Sequence, residues 1–338
     1  MTVVNTDYPL ASPNSDKNVT FDNPQDTGVQ LFGTLALPSG HGPFPAVVLV
    51  AGGGPIDSIF SITGARFPFA DYLTSRGIAV LSYDKRGCGK STGDFDSATV
   101  NEFASDVQAA LSYLESVPYV DPKRIGLIGH SDGAYIAPKV AAKASNVAFV
   151  VMMAGPGLTI PEYISASVKL AGKARGASNA EIARELSIRL KTSAVLLEGP
   201  KDNATREKLL RPLVMELPDP MGVDLQLAQF LSPAYVAIIK EDPVVTLGQI
   251  KCPVLALNGS TDLTVPPKEN VRGIRNVLKK SGNPDYTVKE LPDINHAFQH
   301  SKTGEQYGIE EPMAQSVLDI IGDWIDLRVS NSTFTSPA

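Results

Sequence analysis

Short continuous runs of apolar residues recur at 46–51, 78–83, 124–129 and 147–154, each bounded by Gly, Pro or Asp. Such runs suit parallel strands buried on both faces, where neither side of the pleat needs a polar residue. Helical stripes lie between them. The clearest is Val100, Phe103, Val107, Leu111 and Leu114, whose spacing of three and four puts all five on one side of a helix. Upstream, 19–21 and 29–37 alternate apolar with polar positions and read as antiparallel strands. Strands that alternate with helices imply a parallel sheet with right-handed crossovers.

The alternation stops near Gly157 and resumes with a strand at 252–258. The intervening stretch carries helical patterns at 161–176, 180–197, 204–215 and 223–240, punctuated by Pro and Gly. They read as a helical cap inserted over the sheet; the alternative is that these helices simply flank it. A helix over 267–280 and a strand over 286–291 follow. A final amphipathic helix carries Met313, Val317, Ile320, Ile321, Trp324 and Ile325. Residues 1–16 are polar and read as a loose arm. The expected organisation is an arm over 1–16, an α/β core over 17–157 and 249–330, and a cap over 158–248. The core would be a mostly parallel central sheet flanked by helices.

Composition narrows the class. With 338 residues, 43% hydrophobic and 20% charged, the chain is neither disordered, fibrous nor coiled-coil. Lys and Arg number 30 against 36 Asp and Glu, and no stretch concentrates the cations, which argues against a nucleic-acid partner. No apolar run approaches the about 20 residues that cross a bilayer, and the N-terminus lacks a basic segment followed by an apolar one. The expectation is a cytoplasmic protein without a membrane span; a homodimer is left open. Two scattered cysteines, Cys88 and Cys252, make a poor disulfide framework and a poor metal site, and no metal or cofactor is expected.

The sharpest chemical signal is Gly129-His130-Ser131-Asp132-Gly133, a G-x-S-x-G pentapeptide with an apolar strand before it and a helix-compatible segment, 134–143, after it. At a strand-to-helix elbow only small neighbours fit, and Ser131 is the expected nucleophile; the bland alternative is a helix-capping serine. A serine hydroxyl needs a base. His130 adjoins the nucleophile and should point into the elbow's support, and His41 precedes the first buried strand. His296 lies in a loop directly after a strand, where a base is carried; His300 is its weaker rival. The base needs an acid to fix its tautomer. Asp262, in the loop after 252–257, is preferred over Asp285, which precedes its strand, and Asp293, which is too near His296. Ser131, Asp262 and His296 follow in the chain order of the α/β-hydrolase fold. For the oxyanion, one backbone N–H should come from Asp132 and the other from the turn Gly52-Gly53-Gly54, with Gly53 first choice and Gly54 second.

Two motifs fail. Arg86-Gly87-Cys88-Gly89-Lys90-Ser91 ends like a phosphate-binding loop, but Asp84 stands where its first Gly is required. No G-x-G-x-x-G follows a strand. The segment Tyr83-Asp84-Lys85-Arg86-Gly87 is expected to tie its loop by exposed ion pairs, each worth at most about 1 kcal/mol.

Taken together, Ser82-Tyr83-Asp84-Lys85-Arg86-Gly87 with Gly89 and Ser91, the pentapeptide, Asn258-Gly259 with Asp262 and Val265-Pro266, and Asn295-His296 with Phe298-Gln299-His300 resemble the α/β-hydrolase superfamily. More narrowly they resemble carboxylesterases related to the dienelactone-hydrolase and acyl-thioesterase branches. The resemblance implies a serine-ester mechanism on a small-molecule ester, no metal and a helical cap. Relatives often carry Ser at the position of Gly53, a charged pair shortly after Pro55 where this chain has Ile56-Asp57-Ser58-Ile59-Phe60, and Glu at the position of Asp132. These departures bear on substrate preference. The same triad would serve a thioesterase, lactonase or acyltransferase, and a non-catalytic binding protein on this fold is the alternative outside enzymology.

Overall fold

Both faces of the central strands are covered, which explains their unbroken apolar runs. In β3 (Phe44–Val50), Ala46, Val48 and Val50 face one hydrophobic core while Val47 and Leu49 face another. The same division holds in β5 (Val120–His130), where Leu127 and Ile128 point to opposite cores, and in β7 (Val254–Gly259), where Val254 and Ala256 oppose Leu255 and Leu257. The computed structural model describes residues 15–55, 69–218, 222–305 and 313–330.

With β1 (Ser15–Asp22), β2 (Gln30–Leu37), β4 (Ala79–Tyr83), β6 (Val150–Met153) and β8 (Tyr286–Leu291), these strands form an 8-stranded sheet in the order β1-β2-β4-β3-β5-β6-β7-β8. The β1–β2 and β2–β4 pairs are antiparallel; every other pair is parallel. Helices α2 (Val100–Ser116), α3 (Gly133–Ala141) and α10 (Pro267–Lys280) cover one face, and α1 (Phe69–Ser75) and α11 (Gln315–Val329) the other. Residues 1–14 of the expected arm lie outside the described residues, and Ser15 and Asp16 already pair with Leu37 and Ala36.

Between β6 and β7 run α4 (Ile160–Ala174), α5 (Asn179–Glu198), α6 (Asn203–Val214), α7 (Val223–Leu231), α8 (Pro233–Ile238) and α9 (Pro243–Gln249). Capping boxes open α4, with Thr159 and Glu162, and α5, with Ser178 and Glu181. Helices α5 to α8 enclose a hydrophobic cluster of their own, with Ile188, Leu196, Leu210, Leu227 and Phe230 at its centre. The single helix expected over 223–240 is two. Ser232 precedes Pro233 and is therefore pushed out of helical geometry, to φ −62° and ψ 141°, where its side chain caps α8 by accepting from the Tyr235 N–H. Helix α9 is too short to show a stripe, and its Leu247 joins the core of the sheet. Among the described residues no helix is long and apolar enough to cross a membrane.

Candidate active site

Parallel strands end at one edge, and the loops that leave that edge from β3, β5, β7 and β8 carry Gly53, Ser131, Asp262 and His296. The elbow after β5 is built from forbidden space. A Cβ on Gly129 would stand 2.1 Å from the Gly133 carbonyl oxygen, and one on Gly133 would stand 2.0 Å from that of Val50. Ser131 between them has φ 54°, a left-handed backbone that non-glycine residues seldom hold. Its N–H donates to the Met153 carbonyl at 2.9 Å, which ties the strained residue to the end of β6.

His296 comes from the loop after β8. That loop is closed by reciprocal bonds: the Asn295 N–H donates to Gln299 O at 3.0 Å, and the Gln299 N–H to Asn295 Oδ1 at 2.9 Å. His296 Nδ1 lies 2.8 Å from Asp262 Oδ2, and Nε2 lies 3.2 Å from Ser131 Oγ. The carboxylate acceptor assigns the hydrogen to Nδ1 and leaves Nε2 as an acceptor for the serine hydroxyl. Asp262 is fully buried; its Oδ1 accepts the N–H groups of Thr264 and Val265 at 2.7 and 2.9 Å, and its Oδ2 accepts Asn258 Nδ2 at 3.0 Å. Beneath them His130 bonds through Nε2 to the His296 carbonyl at 2.9 Å, so this nitrogen carries a hydrogen. Burial, and then the neighbouring His296, push its pKa down to about 3, and His130 is neutral at neutral pH.

The rivals stand elsewhere. Asp285 accepts from Arg328 at 2.5 Å, and Asp293 and His300 are exposed, with His300 bridged to Ile294. The structure thus brings Ser131, Asp262 and His296 together and leaves Asp285, Asp293 and His300 out.

The triple-glycine turn lies against the elbow. A Cβ on Gly52 would be 3.3 Å from that of Ser131, and one on Gly53 would be 2.8 Å from Asp132 Oδ2. The N–H groups of Gly53 and Asp132 have no acceptor among the described residues. Gly54 has φ 86°. Ile56 to Phe60 lie outside the described residues. Burial raises the pKa of the half-buried Asp132 carboxyl, against the pull of Lys85 and His296.

The exposed ion pairs expected at 83–87 are a misreading, because the loop is buried. Arg86 is 3% exposed and grips Asp106, itself 1% exposed, through two bonds of 2.8 Å, with Asp26 at 2.7 Å. Asp84 accepts the Lys90 N–H at 2.8 Å and fills the space beside Gly89, while Ser91 accepts the Phe32 N–H at 2.9 Å. Lys85 turns inward and donates to the carbonyls of Gly52 and Gly54. Sequence patterns alone placed Lys85 in an exposed ion pair, not on these carbonyls, and assigned no role to the supports Asn258, Asn295 and Gln299. The available signals were weak ones: a charged residue directly after a buried strand, and amides four residues from the atoms they hold.

The hydroxyl of Tyr163, in α4, donates to Thr264 O at 3.5 Å, two residues from Asp262. Burial, with the charges of Asp132 and Asp262 adding, pushes its phenol up to about 12. A separate cavity of about 340 Å³ is lined by Ile160, Ile164, Leu190 and Leu197 of α4 and α5; neither Ser131, Asp262 nor His296 lines it.

Residues 47–306 match the alpha/beta hydrolase family. Esterase EstD of Thermotoga maritima is 27% identical over 326 residues, which cover 95% of this chain and 71% of EstD. Esterase FrsA of Klebsiella pneumoniae is 34% identical over 129 residues, 38% of this chain and only 28% of FrsA. The structure of the Pyrococcus furiosus esterase Pf2001 superposes with a TM-score of 0.57 at 19% identity, over 94% of this chain and 92% of that one, a likeness of fold.

Proposed function

The chain belongs to the alpha/beta hydrolase family, and from that premise we propose that it cleaves carboxylic esters through Ser131, His296 and Asp262 by way of an acyl-enzyme. Ester hydrolysis is the activity its relative EstD carries in its name. The finer assignment rests on one observation above all: a single imidazole stands 3.2 Å from Ser131 Oγ and 2.8 Å from Asp262 Oδ2. In this reading Ser131 Oγ attacks the ester carbonyl carbon as Nε2 of His296 takes its proton. The carbonyl oxygen becomes an oxyanion, held by the N–H groups of Gly53 and Asp132. His296 then protonates the leaving alcohol as the C–O bond breaks. Water, deprotonated by the same nitrogen, attacks the acyl-serine carbonyl; the C–Oγ bond then breaks as His296 returns the proton to Ser131 Oγ, and the acid leaves. Asp262 holds Nδ1–H and stabilises the imidazolium at each stage.

A panel of nitrophenyl esters, acyl thioesters and lactones, run on the native protein and on Ser131→Ala, tests this. The native protein is expected to turn over the oxygen esters, and Ser131→Ala to fall by about 10⁴ or more in kcat. Ester turnover that survives in Ser131→Ala contradicts the assignment. A preference for thioesters or lactones would keep the triad and change the substrate.

A further inference from the structure

We propose that Lys85 is the positioning residue of the oxyanion hole: its ammonium holds the carbonyls of Gly52 and Gly54 and thereby aims the N–H of Gly53 at the reacting oxygen. The proposal rests on the reading of Ser131 as nucleophile and Gly53 as donor. It begins from where a lysine has been put. Lys85 is 7% exposed, at the end of β4 beside the turn after β3. Desolvating an ammonium is costly, and buried lysines are expected opposite carboxylates. Here Nζ is instead spent on two backbone carbonyls, Gly52 O and, at 3.1 Å, Gly54 O. The rings of Phe103 and Phe95, 5.2 and 5.7 Å away, surround the charge. Burial lowers the lysine's pKa, and the charge of Asp132 opposes that shift.

Peptide geometry converts this anchor into a function. In a trans peptide the C=O of Gly52 and the N–H of Gly53 share one plane and point in opposite directions. Fixing the carbonyl toward Lys85 therefore directs the N–H away from it, in a turn that lies against the elbow: a Cβ on Gly53 would meet the Asp132 carboxyl and one on Gly52 would meet Ser131. Three successive glycines have little torsional preference of their own, and Gly54 already occupies φ 86°. A flipped Gly52–Gly53 peptide would offer its carbonyl to the oxyanion and repel it. The clamp on Gly52 O and Gly54 O opposes that flip. A cation on the carbonyl oxygen also polarises the amide and strengthens its N–H as a donor.

Lys85→Met keeps a long apolar stem and removes the donors. The expected result is a loss of about 10²-fold in kcat for a nitrophenyl ester with KM changed by less than about threefold. Affinity for a trifluoromethyl ketone, whose carbonyl adds Ser131 Oγ and leaves an oxyanion, should fall by the same factor as kcat. The double-mutant comparison separates positioning from general support. Added to Gly53→Pro, which has no N–H, Lys85→Met should cost less than about threefold more. Lys85→Gln, with one amide donor left, should lie between native and Met, and carries the comparison if Lys85→Met does not fold by circular dichroism. A folded Lys85 variant with native kcat and native ketone affinity overturns the proposal, and so does a loss that multiplies in full on Gly53→Pro. Should Ser131→Ala or folded Gly53→Pro keep native activity, the underlying reading fails instead. Where those two are crippled and the Lys85 variants are not, only the role of Lys85 falls.

Discussion

At the scale of single residues, the site is a set of side chains that mean little apart. Ser131, His296 and Asp262 form one chain of hydrogen bonds, so their losses should not add. Ser131→Ala is expected to cost nearly as much kcat as Ser131→Ala with His296→Ala, and Asp262→Asn less than either. Steady-state kinetics on one nitrophenyl ester checks this; a double variant far below both singles, or His300→Ala more damaging than His296→Ala, would contradict it. That these three would meet was legible in the chain because each lies in a loop directly after a strand, and the roles we propose for them follow chain order. Their supports were not. Lys85 meets Gly52, and His130 meets the His296 carbonyl, only because distant segments become neighbours at one sheet edge, which local pattern does not encode. For the same reason Arg86, buried against Asp106, reads in the sequence as part of an exposed ion pair.

At the scale of elements, the elbow and the helices between β6 and β7 lead to separate predictions. A Cβ on Gly133 would press 2.0 Å from the Val50 carbonyl oxygen, backbone that cannot swing away. Gly133→Ala should therefore destabilise the protein by about 1–3 kcal/mol or prevent folding, read from the urea midpoint; an unchanged midpoint would mean that the elbow is looser than drawn. Tyr163 of α4 meets the Thr264 carbonyl, two residues from Asp262, and we propose that the helices between β6 and β7 act as a cap that selects the acyl or alcohol group. Tyr163→Ala should change the ratio of rates between short and long acyl esters; a constant ratio would place the pocket elsewhere. Legibility at this scale followed periodicity. The runs of β3 and β7 are strong because packing on both faces selects them, and the stripe of α2 because packing on one face does. The break between α7 and α8 turns on the conformation of one residue before Pro233, and α1 and α9 are too short to carry a period.

At the scale of the whole molecule, the buried site ties activity to acid stability. His130 is held neutral, with its pKa at about 3, against about 6.5 in an unfolded chain. Below about pH 6.5 the unfolded state takes up a proton that the folded state refuses, so stability falls with pH down to about 3, by about 1.4 kcal/mol per pH unit from this group. His130→Gln, which keeps a donor for the His296 carbonyl, should lose about 2 kcal/mol less than the native protein between pH 7 and pH 5, by urea unfolding at the two values. Equal losses would show that the imidazole is not buried neutral. The claim on which the functional reading turns is the covalent one, and it is tested most directly by mass. The native protein, quenched in acid during turnover of a slowly deacylated nitrophenyl ester, should carry one added acyl group, and peptide mapping should place it on Ser131. An acyl group on another residue, or one that persists in Ser131→Ala, would contradict it.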